Sequence, residues 1–211
     1  MSSWEERFPK LWAFGEQLAI VVLGGLMFWL FSALIITAPA AFAALFAATA
    51  GFVRPVQGEV LGRFWRGFRR SFWTALGLGA IDVAVAGILW VDIKFFRAIN
   101  PTMGFVAYVI FGSVGLVLAL ANMYAWPLLA WYPQPLKKLL KRSLLLAVGH
   151  PFHALGGLLL AAGVLLAMAM LPGWAGAFLP LLGPGIAAII IGKMVWLAMR
   201  RYAGEEDEFA E

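Results

Sequence analysis

Long apolar runs alternate with short charged ones along this chain. Stretches carrying at most one Asp, Glu, Lys or Arg cover Leu18–Ile36, Phe72–Val91, Met103–Leu129, Phe152–Leu171 and Trp174–Met199. Each is close to or beyond the roughly 20 residues that a helix needs to cross a bilayer core. The pattern predicts an all-α membrane protein with about five transmembrane helices. A sixth apolar segment, Ala40–Val53, holds only 14 residues. It reads as a half-helix, a re-entrant piece, or an extension of the first span beyond a kink at Pro39. If it crosses, the spans number six and the N-terminus moves inside.

Two stretches mix charge with apolar bulk at helical spacing. In the first, Leu61, Phe64, Trp65, Phe68 and Phe72 recur at i, i+3, i+4, i+7 and i+11, while Arg63, Arg66, Arg69 and Arg70 lie off or beside that stripe. In the second, Leu136, Leu139, Leu140 and Leu144 share a face, with Lys137, Lys138, Lys141 and Arg142 mostly opposite. Both are expected to be basic amphipathic helices at the cytoplasmic interface, their apolar faces in the acyl boundary and their cations among phosphates. A weak repeat at offset 72 aligns Arg70-Ser71 with Arg142-Ser143 and Ala75 with Ala147.

Three parts follow: an interfacial N-terminal arm (1–16), a polytopic domain (17–201) and an acidic tail (202–211) expected to be disordered. Pro172-Gly173 marks a tight turn. Asp92, Lys94 and Arg97 mark a polar loop closed by Asn100-Pro101. Arg54, Pro55 and Gly58 mark a polar connection.

Composition narrows the chemistry. The chain is 63% hydrophobic and 13% charged, against about 25% charged in soluble domains. In so apolar a chain the net charge of +5 points to anionic lipid rather than nucleic acid. The lack of cysteine removes disulfides and thiolate chemistry. The cations that follow the first, third and fifth spans outnumber those on the opposite side, which predicts cytoplasmic basic helices and C-terminus, with the N-terminus outside.

Several motifs carry a family resemblance. Thr37–Ala47 (TAPAAFAALFA), Phe64–Trp73 (FWRGFRRSFW), Asp92–Phe96 (DIKFF) and Tyr124–Leu129 (YAWPLL) resemble, in order, elements of the YesL-like (DUF624) bacterial integral membrane proteins. Ala38 stands where that family tends to have Gly. The resemblance implies a small polytopic protein of the bacterial inner membrane, from a family whose members accompany sugar ABC importers and two-component sensors. It brings no catalytic residues to transfer.

Asp82 lies ten residues into the second span, where a charge is costly and needs a partner or a proton. Lys193, in the last span, is the expected partner. The pair reads either as an ion- or proton-coupled site or as a structural lock. Asn122 and Tyr124, near Pro127, either repair backbone freed by the proline or line a path. His150 and His153 flank Pro151; two ligands fall short of the three or four that zinc takes, so neither metal nor other cofactor is predicted. The breaks at Thr37–Pro39 and Gly183-Pro184-Gly185 read either as packing kinks or as discontinuous helices of the kind that mark transporter sites. No protease, zincin or phosphate-loop motif survives inspection. The expectation is a non-enzymatic accessory or scaffold protein; a place beside a carbohydrate import or sensing system is what the family resemblance implies. Its partners would be lipid and another membrane protein, or its own copies. The alternative is a small oligomeric transporter or channel using Asp82.

Overall fold

The computed structural model describes residues 9–53, 59–170 and 174–208. Among them every regular element is helical: α1 (Pro9–Ser32), α2 (Ala38–Thr49), α3 (Val60–Ile99), α4 (Pro101–Trp131), α5 (Leu136–Gly149), α6 (Pro151–Met170) and α7 (Trp174–Glu208), with single 3-10 turns at Ile35–Thr37 and Ala50–Phe52. Four stretches are long and apolar enough to cross a membrane: Ile35–Phe52, Val60–Ile99, Thr102–Trp131 and Leu182–Arg200. Helices α5 and α6, bent by 99° at their break, make a fifth if taken as one span. The protein is an all-α membrane protein.

Helix α2 is the hub. Eight of its residues are buried, five of them alanines (Ala40, Ala41, Ala43, Ala44 and Ala48). It packs against α1, α3, α4 and α7. Alanine favours helix, and Pro39, in the first turn, occupies a position whose N–H needs no helical partner. Methyl-sized side chains let backbones approach closely, the usual basis of helix association in lipid. Helix α3 supplies the matching absence of bulk. A Cβ on Gly67 would stand 2.6 Å from the Ala47 Cβ, and one on Gly79 would stand 2.7 Å from the Pro39 ring. These contacts run α2 antiparallel to α3.

Helix α4 returns antiparallel along α3. Asn100 accepts a hydrogen bond from the Thr102 N–H at 2.8 Å and so caps the new helix. Ser71 Oγ donates to the Leu129 carbonyl at 3.4 Å near the other end. On α5, Leu139, Ser143 and Ala147 form the buried stripe. Ser71 and Ala75, which the offset of 72 aligns with Ser143 and Ala147, are buried on α3 as well.

The structure revises several expectations. Leu61–Trp73 is no separate surface helix but the first third of α3, a 40-residue helix. No proline lies between Pro55 and Pro101 to break it. Asp92, Lys94 and Arg97 therefore sit on its last turns rather than in a loop, Lys94 lying over the Trp90 ring. The first span ends at Ser32, so Ile35–Phe52 stands as a stretch of its own. Gly183-Pro184-Gly185 does not interrupt α7. Gly185 instead admits α1, since a Cβ there would meet Val21 at 3.0 Å. The acidic tail is helical as far as Glu208. The N-terminal arm up to residue 8, Arg54, Pro55 and Gly58, the Pro172-Gly173 turn and residues 209–211 lie outside the described residues.

Close α2–α3 contact predicts that Gly67→Ala lowers thermal stability in detergent, by about 1–3 kcal/mol for an overpacked contact. Gly87→Ala, where nothing lies within 4 Å of the added Cβ, should leave it unchanged or raised. Melting curves of both variants check this.

Candidate functional site

At the basic end of α3 an open cleft of about 670 Å³ is lined by Arg63, Arg66, Arg69 and Arg70 with Trp65 and Trp131. Its floor is made of small residues, Ala47 and Ala50 at the end of α2, Gly67 of α3 and Ala130 of α4. Among the described residues, no acidic one lines it. The cleft exists because four helix-borne arginines meet a floor without bulk.

Arg63 differs from the other three. Its guanidinium donates to the Ala48 carbonyl from Nε at 3.2 Å and from Nη2 at 2.9 Å. Trp131 Nε1 donates to the Phe46 carbonyl at 3.3 Å. The last four carbonyls of a helix have no partner within it, and α2 ends inside the protein. Arg63 and Trp131 satisfy two of those four, and the cation faces the negative end of the helix dipole. Arg63 is thus a structural cap at the edge of the cleft. Arg66, Arg69 and Arg70 are exposed.

The aromatic face predicted to sink into lipid does not do so as a unit. Phe64 is 1% and Phe68 9% exposed. Both pack on Phe31 of α1, with ring centroids 5.7 and 5.0 Å away. Trp65 stays 47% exposed at the cleft. Lys137, Lys138, Lys141 and Arg142 are exposed on α5 and line no part of the cleft. Arg142 donates to Gln134 Oε1 at 3.0 Å.

The predicted Asp82–Lys193 pair does not form. Asp82 is half-buried on α3 and hydrogen-bonded to the side chain of Asn122 on α4. Lys193 is exposed on α7. Its neighbour Gly192 meets the Trp131 ring, nine residues and about 14 Å along α4 from Asn122. Asn122 Oδ1 is buried without a hydrogen-bond partner. Asp82 and Asn122 do not line the cleft. Tyr124 OH donates to the His150 carbonyl at 2.8 Å, tying α4 to the α5–α6 bend. The His150 and His153 rings lie 5.9 Å apart, edge to face. Among the described residues no cluster of three or more His, Cys, Asp or Glu could hold a metal.

Comparison with known families bears on part of this chain. Residues 18–93 match the family described as "Protein of unknown function, DUF624". That stretch holds α2, the arginine segment and Asp82. No curated protein and no solved structure matches the chain.

Arginine proximity was legible in the sequence, but the cleft was not. Its floor comes from Ala47, Ala50 and Ala130, residues that carry no chemistry of their own. Removing the cap isolates the structural role of Arg63. Arg63→Met should cost about 1.5–3 kcal/mol, the range of a hydrogen bond to a charged group, read as a lower melting temperature in detergent. Lys138→Met, at an exposed site on α5, should leave the melting temperature within error of the parent.

Proposed function

We propose that this chain is a non-enzymatic accessory protein of the bacterial cytoplasmic membrane and that it works by contact with another membrane protein. The observation that carries the reading is the outer half of the α3–α4 hairpin. Every residue from Ala80 to Ile99 is at least partly exposed. Trp90, Phe95, Phe105 and Tyr108 are more than half exposed. Gly87 and Gly112 present backbone with nothing within 4 Å of a Cβ position. Bare glycine on an apolar helix face suits the approach of another helix in lipid. The resemblance to YesL-like proteins favours a sugar ABC importer or its sensor as the partner.

The proposed orientation puts the N-terminus on the same side as the arginine end, because α2 ends at that end and α1 runs antiparallel to α2, with Phe28 on Phe42 and Gly24 beside Leu45. It puts the arginine end and the C-terminus in the cytoplasm. Lys/Arg counting supports this. From Arg70 to Asp92, α3 rises about 33 Å, close to the roughly 30 Å of a bilayer core.

A second reading, a small transporter, is favoured by the Asp82–Asn122 contact. A carboxyl and an amide meet there within two apolar helices, and the amide oxygen has no partner.

Purification in mild detergent with mass spectrometry should recover a second membrane protein in stoichiometric amount. Gly112→Leu should reduce that recovery at least tenfold without changing the melting temperature. Recovery of a homo-oligomer alone would contradict the contact reading. In proteoliposomes, solute or proton flux that Asp82→Asn abolishes would replace it with the transporter reading.

A further inference from the structure

We infer that the arginine cleft is a discrete binding site for the phosphate of an anionic phospholipid. The inference stands apart from the contact reading, which concerns the other end of the α3–α4 hairpin. Arg66, Arg69 and Arg70 line one open cavity, and no acidic residue is among its described lining residues. None of the described hydrogen bonds or ion pairs uses these three side chains. Arg63 adds its charge from the rear while holding the Ala48 carbonyl. Like charges brought together by the fold repel unless an anion sits between them. The planar guanidinium fork matches the paired oxygens of a phosphate.

A lipid source is favoured by what leads away from the cleft. Trp65, Arg69 and Trp73 recur at i, i+4 and i+8 and share one exposed stripe of α3. Trp65 lines the cavity, and Trp73, two turns further toward the apolar span, is 81% exposed. A headgroup held among the arginines would lay its acyl chains along that stripe. Tryptophan commonly occupies this depth, its ring in the acyl boundary and its N–H among headgroups. The small floor of the cleft leaves room for the glycerol phosphate.

Native mass spectrometry of the intact protein in mixed micelles of phosphatidylglycerol and phosphatidylcholine tests the site. The parent should retain one phosphatidylglycerol with at least tenfold preference. The double variant Arg66→Gln/Arg70→Gln should lose that preference. Arg66→Lys/Arg70→Lys, which keeps the charge and loses the fork, should weaken it several-fold. Lys137→Gln/Lys138→Gln, which removes the same charge from α5, should leave it intact. Equal loss in the α5 variant would show diffuse attraction and overturn the site. So would unchanged preference in the two arginine variants, each checked by its melting curve. Inorganic phosphate at millimolar concentration is the second probe. If it raises the melting temperature of the parent while phosphatidylglycerol shows no preference, the ligand is a soluble phosphate and the lipid assignment falls.

Discussion

A helix that ends against its neighbours leaves its last carbonyls without partners inside the helix, and they must be met from other elements. Helix α2 is such a helix, and much of the structure answers that constraint. Arg63 of α3 takes the Ala48 carbonyl and Trp131 of α4 takes that of Phe46. These bonds bring the start of α3 and the end of α4 to the same point. The clamp holds the remaining arginines around one cavity. The element that secures the fold therefore also builds the candidate site.

The same constraint explains the composition of α2. Its neighbours approach from several sides, so its packed positions carry methyl groups where α3 carries glycine at Gly67 and Gly79. Larger side chains enter only where a partner leaves room. Phe46 is fully buried, and Phe42 bridges Phe28 of α1 and Trp126 of α4 at ring distances of 6.2 and 5.2 Å. Interlocking of this kind gives a short helix no free face. The outer hairpin, by contrast, is two helices touching mainly each other.

The sequence made the helical membrane fold legible because apolar length is a direct signal. It located α4, α5 and α6 to within a few residues, since Asn100-Pro101, Pro133 to Pro135 and Gly149 to Pro151 are strong local breaks. It was misleading at Leu61–Trp73. A stripe of Leu, Phe and Trp opposite arginines has the same spacing whether the stripe faces lipid or another helix. Only the neighbour decides, and the neighbour here is an alanine helix whose plain composition hides its central place. The Asp82–Lys193 expectation failed for a similar reason: span numbering gives no lateral order, and α3 faces α4 rather than α7. Individual arginines were readable as interfacial. Their separation into one cap and three cleft residues depended on where α2 ends.

The account stands on α3 being one continuous helix clamped to α2, with the arginine segment standing out of the span rather than lying on the bilayer. The chain has no cysteine, so spin labels can be placed cleanly at Leu61 and Ile88, both more than half exposed. A continuous helix separates them by 27 residues, about 40 Å. Pulsed electron resonance in lipid nanodiscs should give one distance near that value. A distance near 30 Å, as expected for about 15 Å of surface helix set at a right angle to the rest, would contradict the clamp, and the cleft with it.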